Sequence, residues 1–466
     1  MKRTGKWSKV FGGGLVLLLL LSFAGHAFGN NTPKFAYVAN SNPHGTTGDV
    51  SAYTIDSTTG ALSPVSGSPF AAGSAPTSIQ VDPSNKFVYV ANSFSFTISA
   101  YAIDSTTGAL SAISGSPFST GAFPRAMAAH PSGKFLYVPN CGNAFCTAGG
   151  NVSAYTINST TGALSPISGS PFAAGLGAVS VAVDPSGKFA FVANFGSNNV
   201  SAFTIDSTTG ALSLISGSPF AAGSGPVSVA VAPPGTFAYV ANQASNNVSA
   251  YTINSTTGAL TLVGGSPFAA GSASTFVAVD PSGKFAYVPN FGANNVSAYT
   301  IDSTTGALSP ISGSPFAAGT NPIWTAVDPS GKFAYAVNNA SSSQNVSAYT
   351  INSTTGALSS ISGSPFAAGT RPFAMAIAGT VTPAELITGL TNTVNSLGLQ
   401  AGIANSLDAK LQAAQASLPA NITSACNQMN AFVNEVMAQS GRHLTVAQAD
   451  QLIAQANFIK TSLGCP

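Results

Sequence analysis

The amino-acid sequence predicts an all-β protein, a seven-bladed β-propeller of four-stranded antiparallel blades, followed by a small C-terminal α-helical bundle. One unit of about 48 residues recurs seven times, and each copy holds four β-type segments separated by turn residues. Repeated four-stranded units of this length are typical of propellers. Near residue 381 the repeat stops and apolar residues recur at helical spacing. We therefore expect a signal peptide at 1–29, a propeller at 30–381 and a helical domain at 382–466.

The first 29 residues have the pattern of a secretory signal peptide. A basic start precedes an apolar run from Val10 to Ala24, and small residues follow, with cleavage expected after Ala27 or Gly29. The apolar run is short for a membrane span. We expect an exported protein, periplasmic or extracellular, with no membrane span in its mature form.

The charge balance argues against nucleic acid and anionic membranes as partners. The chain has 15 Lys and Arg against 13 Asp and Glu, and four of the basic residues lie in the expected signal peptide. The mature chain would carry 11 basic and 13 acidic groups, which gives no electrostatic attraction to polyanions. Charged residues are only 6% of the chain. A turn-rich β protein with a polar, weakly charged surface, most simply a monomer, is expected.

The repeat unit assigns the strands of each blade. Its copies begin at Lys34, Lys86, Lys134, Lys188, Thr236, Lys284 and Lys332. The segment "SVAVDP" suits an inner strand a, "FAYVAN" and "VSAYTI" suit strands b and c, and "ALSPIS" suits an outer strand d. The chain opens on strand b, and the last unit ends on an a-type segment at 372–378. We expect that segment to complete blade 1 and so close the ring.

Two invariant pieces of the repeat have structural explanations. The turn "DSTTG" or "NSTTG" joins strands c and d, and its first residue alternates between Asp and Asn. Either side chain can cap its own turn, so this position is not expected to act as a general base or a calcium ligand. One Phe per unit, in "SPF", is expected to pack between blades.

The segment after the propeller predicts four amphipathic helices. The first would begin with Thr382 as N-cap and Pro383 at the first helical position, and the last with a capping box from Thr445 to Gln448. Between them, apolar residues recur at helical spacing.

Four cysteines are expected to form two disulfides. An even count in an exported protein favours pairing, and the sequence separations favour Cys141 with Cys146 and Cys426 with Cys465. Zinc binding is the alternative, although no second cysteine pair or histidine lies at ligand spacing. No metal or other cofactor is expected.

Ionisable residues that depart from the repeat are the candidates for a ligand site. Arg125 and Arg371 lie near the starts of inner strands, and His44 and Asp49 lie in an extended b-to-c loop of the first unit. All four should lie on the channel-mouth face, where Trp324 would add aromatic surface. Two arginines at a concave mouth would suit a small anion or sugar acid.

His130 is expected to be separated from Arg125. It takes the position that Asp82 and Asp184 occupy in their turns, at the far end of strand a. Five residues of strand would place it roughly 16 Å from Arg125. We interpret His130 as a turn variant, and no confident catalytic residue emerges.

The motif "YVAN" or "YVPN" followed by "VSAYTIDSTTGAL" resembles the YVTN-type repeat and the related 6-phosphogluconolactonase-like propellers of the lactonase family, over residues 34–381. The stretch "PRAMAAHPSGKFLYVPN" is similar to that family's pattern at Arg125, His130, Pro131 and Gly133. The family's histidine after the arginine is Ala126 here. Its acid after the strand-b asparagine is absent, since Ser41, Cys141, Phe195, Gln243 and Phe291 occupy such positions. The stretch "AFVNEVMAQSGRHLTVAQADQLI" resembles the FIMAH-type helical module.

These observations favour an exported binding or scaffold protein over an enzyme. Its expected partner is a small anionic or sugar-acid ligand, or a cell-envelope protein, at the channel mouth. The alternative is a lactonase-like hydrolase acting on a sugar lactone, which would need a base to activate water.

Overall fold

A computed structural model describes residues 34–42, 46–233, 235–341, 344–379, 383–418 and 420–465. The expected signal peptide at 1–29, the candidate site residue His44 and the expected cap Thr382 lie outside these residues. Within the described ranges the chain forms seven antiparallel sheets and four α-helices. The predicted fold class, a seven-bladed propeller with a C-terminal helical domain, is confirmed.

Strands b and c form the centre of every blade. Strand b is buried along its length in all seven blades. Between its ends its side chains are largely apolar on both faces because each blade packs against two neighbours, and its last residue is a buried Asn. The b strands are Lys34–Asn40, Phe87–Asn92, Phe135–Asn140, Phe189–Asn194, Phe237–Asn242, Phe285–Asn290 and Phe333–Asn338. The c strands are Thr47–Ile55, Thr97–Ile103, Gly149–Ile157, Asn199–Ile205, Asn247–Ile253, Asn295–Ile301 and Asn345–Ile351.

The inner strands close the ring as the sequence predicts. The inner strand of blade 1, Pro372–Ala378, pairs antiparallel with Lys34–Asn40, so the two ends of the propeller share one sheet. The other a strands are Pro76–Val81, Ala128–Ala129, Ala178–Val183, Pro226–Val231, Ala278–Val279 and Pro322–Val327. Lys34 also forms a buried ion pair, Nζ to Oδ2 of Asp328 at 3.2 Å, that joins blade 1 to blade 7.

Each blade has five strands, so the expectation of four is wrong. The outer edge of strand c is covered by two short strands in succession, d against one half and a fifth strand, e, against the other. The d strands are Leu62–Pro64, Leu110–Ala112, Leu164–Pro166, Leu212–Leu214, Leu260–Leu262, Leu308–Pro310 and Leu358–Ser360. The e strands are Phe70–Ser74, Phe118–Ser119, Phe172–Leu176, Phe220–Ala221, Phe268–Ala269, Phe316–Ala317 and Phe366–Ala367. The Phe of "SPF" starts strand e and packs against the core between blades, as predicted.

Tyrosine hydroxyls tie neighbouring blades together. A Tyr on strand b donates to the glycine carbonyl of the next blade's c-to-d turn, as Tyr37 does to Gly108 at 2.9 Å. A Tyr on strand c donates to the preceding blade's strand e, as Tyr251 does to Ala221 at 2.6 Å. All 12 tyrosines of the chain make one of these two bonds. Blade 4 differs because Phe191 and Phe203 occupy both positions.

The turn residues act as the sequence predicts. Oδ1 of Asp56 accepts hydrogen bonds from the backbone of Thr58 and Thr59, and Asn158 makes the same bonds in its own unit. The glycine that follows has a positive φ, +74° at Gly60, which glycine adopts without a steric cost. The Asp-to-Asn exchange therefore leaves the turn intact.

The C-terminal domain contains helices α1 (Pro383–Ser396), α2 (Ala401–Ser417), α3 (Ile422–Gln439) and α4 (Val446–Leu463), packed around one apolar core. The predicted capping box is present, because Thr445 Oγ1 accepts from Gln448 N at 3.2 Å and Gln448 Oε1 accepts from Thr445 N at 2.9 Å. The Cys426–Cys465 disulfide joins α3 to the chain just after α4. None of the described helices is long and apolar enough to cross a membrane.

Candidate functional site

The channel-mouth face carries a pocket of about 150 Å³ formed by blades 7, 1, 2 and 3. Its wall consists of residues at the starts of inner strands and in the adjoining b-to-c connections. The lining residues are Ser41, Asn42, Ala75, Thr77, Ser93, Phe94, Arg125, Asn339, Arg371 and Phe373. Arg125 and Arg371, two of the five predicted ligand residues, therefore share one cavity. Among the described lining residues there is no carboxylate and no imidazole.

Arg125 is held at the pocket wall by its backbone and by one arm of its guanidinium. Its amide donates to the carbonyl of Pro139 at 3.1 Å, and Nη2 donates to the carbonyl of Ala144 at 3.0 Å. Its Nε is buried without a hydrogen-bond partner. Burial lowers the pKa of Arg125 because the charged form loses solvation. Within the described residues no carboxylate forms an ion pair with this side chain.

Arg371 contributes a more exposed positive charge to the same pocket. Its carbonyl accepts a hydrogen bond from Ser41 N at 3.0 Å, which fixes the backbone beside the pocket. Its φ is +49°, a left-handed conformation that non-glycine residues rarely adopt. In the equivalent position of other units stand Gly177, Gly225 and Asn321, which tolerate that conformation better.

The Cys141–Cys146 disulfide is formed, as predicted, and closes a loop beside Arg125. Ala144, whose carbonyl accepts from Arg125, lies inside this loop. On its other side the loop contacts blade 4 closely, since a Cβ on Gly177 would lie 2.0 Å from the carbonyl oxygen of Cys146. The loop is therefore fixed between Arg125 and the start of strand a in blade 4.

Asp49 is not in a loop, and the prediction that placed it there is wrong. It lies in strand c of blade 1 opposite Asn40, and its Oδ1 accepts from Asn40 Nδ2 at 2.6 Å. Asn199 and Asn247 make the same bond in their own blades. Burial raises the pKa of Asp49, and the bond from Asn40 opposes that shift. Its carboxylate thus bonds within the blade, and Asp49 is not among the lining residues of the mouth pocket.

Trp324 and His130 both pack against neighbouring groups of the propeller. Trp324 stacks on Phe276, with ring centroids 3.9 Å apart, and is not among the lining residues of the mouth pocket. His130 is buried in its turn, as predicted: Nδ1 lies 3.1 Å from Ser132 N, and Nε2 lies 2.9 Å from the carbonyl oxygen of Gly187. His44 lies outside the described residues.

Several lining residues were not predicted from the sequence. Ser93 has an Oγ that is buried without a hydrogen-bond partner. Thr77 Oγ1 donates to the carbonyl of Pro124 at 3.0 Å. Phe94 is 46% exposed, although other units have Gly196 or Ala244 at its position. Comparing the aromatic residues of the repeats with each other, as well as the ionisable ones, is the signal that would have found Phe94.

The described residues form a seven-bladed β-propeller with a pocket on its channel-mouth face. The family model "Lactonase, 7-bladed beta-propeller" matches residues 27–94, 47–180 and 167–277, which together span more than half of the chain. The chain therefore belongs to the lactonase family of seven-bladed β-propellers. No curated protein matches it.

Solved structures share the propeller fold at low sequence identity. A 6-phosphogluconolactonase candidate from Bacteroides uniformis is 20% identical with a TM-score of 0.63, and the match covers 74% of this chain and 99% of that one. The periplasmic gluconolactonase of Pseudomonas aeruginosa is 18% identical with the same TM-score and covers 74% of this chain and 99% of its own. At such identities these similarities establish the fold alone.

Proposed function

We propose that this protein is an exported binding protein that holds a small sugar acid or similar anion in the mouth pocket. The observation that carries the proposal is the state of Arg125, whose buried Nε has no hydrogen-bond partner. A buried N–H of a charged guanidinium without an acceptor is costly, and an anion in the pocket would supply that acceptor. Arg371 supplies a second positive charge at the rim of the pocket.

The rest of the pocket suits a polyhydroxylated ligand. Ser41, Asn42, Ser93 and Asn339 offer hydroxyl and amide groups beside the two arginines. Such groups hydrogen-bond the hydroxyls of a sugar acid, while a guanidinium binds its carboxylate in a charge-assisted pair. Export is supported by the two disulfides, which persist in oxidising compartments.

Hydrolysis of a sugar lactone is the second candidate function, and family membership favours it. Opening a lactone needs a general base to activate water. The described lining residues hold no carboxylate or imidazole, and Ala126 stands where the related pattern has a histidine. His44 remains a sequence-based candidate for the base.

Lactone turnover separates the two functions. We would measure hydrolysis of D-glucono-1,5-lactone and of its 6-phosphate by the purified protein, beside Arg125→Thr and His44→Gln variants. Thr occupies the position of Arg125 in two other units, Thr77 and Thr275, so this variant is expected to fold. The binding proposal predicts no turnover above the uncatalysed rate in all three proteins. Turnover that disappears in both variants would establish the lactonase instead.

A further inference from the structure

Three phenylalanines form a strip on the channel-mouth face where blades 2 and 3 meet. Phe123 contacts Phe94 and Phe96 edge-on, with ring centroids 6.0 and 4.9 Å apart. Phe94 and Phe96 are 46% and 37% exposed. Phe94 also lines the mouth pocket, so the aromatic surface begins inside the pocket and continues outside it.

The other units show that the fold does not need these aromatic residues. At the position of Phe96 stand Asn198, Asn246 and Asn294, whose side chains accept hydrogen bonds from the backbone of the following blade at 2.6–2.9 Å. Phe96 cannot make this bond. At the position of Phe94 the other units have small residues such as Gly196 and Ala244.

The backbone conformation at Phe96 and Phe123 adds a further cost to carrying a phenylalanine there. Phe96 and Phe123 both have φ of +55°, a left-handed conformation that disfavours bulky side chains and favours Gly and Asn. Phe96 thus occupies a position where three other units carry the better-suited Asn. The position of Phe123 has a positive φ in the other units too, where small residues such as Gly177, Gly225 and Ala75 are among those that occupy it. Strain retained at an exposed site next to a pocket points to a functional use of the side chains.

The mouth pocket is too small to enclose a large ligand completely. Small-molecule sites usually enclose about 300–1,000 Å³, whereas this pocket encloses about 150 Å³. A ligand larger than a simple sugar acid must therefore extend beyond the pocket, and the surface continuous with it is Phe94.

We propose that the strip of Phe94, Phe96 and Phe123 is an apolar subsite for an aryl or alkyl group carried by the anionic ligand. This inference rests on the proposed function. The ligand would place its carboxylate beside Arg125 and Arg371 and its apolar group across the three rings. The class of ligand is then an amphipathic acid, such as an aryl or alkyl glycoside of a sugar acid.

Three matched probes test the subsite: D-glucuronate, phenyl β-D-glucuronide and neutral phenyl β-D-glucoside. Dissociation constants would be measured for the unaltered protein, an Arg125→Thr variant and a Phe94→Ala, Phe96→Asn double variant. The double variant installs residues that other units carry, so it should fold as well as the parent. Leu262→Ser is the matched control, because Leu262 is 54% exposed on an outer strand and another unit has Ser360 there.

The subsite predicts that phenyl glucuronide binds about tenfold more tightly than glucuronate. The double variant should lose this advantage, so that the two acids bind it equally whatever the removal of the pocket-lining Phe94 does to glucuronate itself, while Leu262→Ser changes neither value. Equal affinities for the two acids, unaffected by the double variant, would overturn the subsite and leave the anion site standing. The two phenyl glycosides could instead bind in a way that depends on the phenylalanines but not on Arg125. That result would contradict the proposed anion site and would still support an apolar binding surface. No binding of any probe would overturn both.

Discussion

Nη2 of Arg125 donates to the carbonyl of Ala144 at 3.0 Å, and Ala144 lies within the loop closed by the Cys141–Cys146 disulfide. The arginine at the mouth is therefore oriented by a neighbouring covalent ring. Orientation of this kind reduces the entropy lost when a ligand binds. The disulfide loop should contribute to affinity without touching the ligand.

Opening that loop is expected to weaken ligand binding. A Cys141→Ser, Cys146→Ser variant should raise the dissociation constant for D-gluconate about three- to tenfold, because Arg125 loses the fixed acceptor that orients it. Calorimetric titration would measure this effect. The control is a Cys426→Ser, Cys465→Ser variant, which opens only the disulfide of the helical domain. If both variants bound gluconate as the parent does, Arg125 would not depend on the loop.

Replacing Phe191 of blade 4 by tyrosine should stabilise the propeller. Phe191→Tyr would place a hydroxyl near the carbonyl of Gly258, as Tyr239 does near Gly306 at 2.9 Å. The added bond should raise the free energy of unfolding by about 1 kcal/mol. The reverse change, Tyr239→Phe, should lower it by a similar amount. Denaturant unfolding of both variants checks the pair, and destabilisation by Phe191→Tyr would show that blade 4 has no room for the hydroxyl.

The tyrosines should make the propeller sensitive to alkali. Burial raises the pKa of all 12, with Tyr251 and Tyr349 at about 12 against an ordinary value of 10.0. A raised pKa means that the folded state keeps protons that the unfolded chain releases. The contribution to stability is therefore complete below pH 10 and is lost as pH rises above it. Tyrosinate absorbance should appear together with unfolding; ionisation of the folded protein near pH 10 would contradict this account.

Asp49 is expected to lower stability at neutral pH. Burial raises the pKa of its carboxyl, so the folded state is favoured at acid pH and loses that advantage as pH rises through the folded pKa. An Asp49→Asn variant, which matches Asn199 and Asn247, should be more stable than the parent near pH 7, with the difference shrinking toward pH 3. Thermal unfolding at the two pH values measures it. The variant should bind gluconate as the parent does. A loss of binding would show that Asp49 takes part in the ligand site.

The connection from strand e of blade 7 to strand a of blade 1 passes so close to strand b that Gly369 should not tolerate a side chain. A Cβ on Gly369 would lie 2.4 Å from Nδ2 of Asn40, which is buried. Gly369→Ala should therefore destabilise the protein by about 2 kcal/mol or more. Gly264→Ala is the matched control because nothing lies within 4 Å of its added Cβ. Equal unfolding free energies for the two variants would show that the blade adjusts without cost.

The sequence predicted the ring because each repeat carries its own strand and turn signals, and the a-type segment at 372–378 could pair only with the unpartnered strand at Lys34. Strand e escaped prediction because it pairs over only two residues in most blades and contains small residues. Asp49 was misplaced because strand c of blade 1 extends back to Thr47.

The candidate site was only partly predictable for a physical reason. Arg125 and Arg371 stand out as charges in a nearly uncharged chain, and the fold brings both to one pocket. The hydrogen bond from Arg125 to Ala144 and the left-handed backbone at Phe96 depend on tertiary geometry, which no local pattern reports.

Calorimetric titration of D-gluconate into the parent protein and an Arg125→Thr variant would show whether Arg125 holds an anion. An anion site at Arg125 predicts saturable one-to-one binding by the parent and at least a tenfold loss of affinity in the variant, because the charge-assisted pair is removed. Equal binding by the two proteins, or no binding by the parent, would contradict an anion site at the channel mouth.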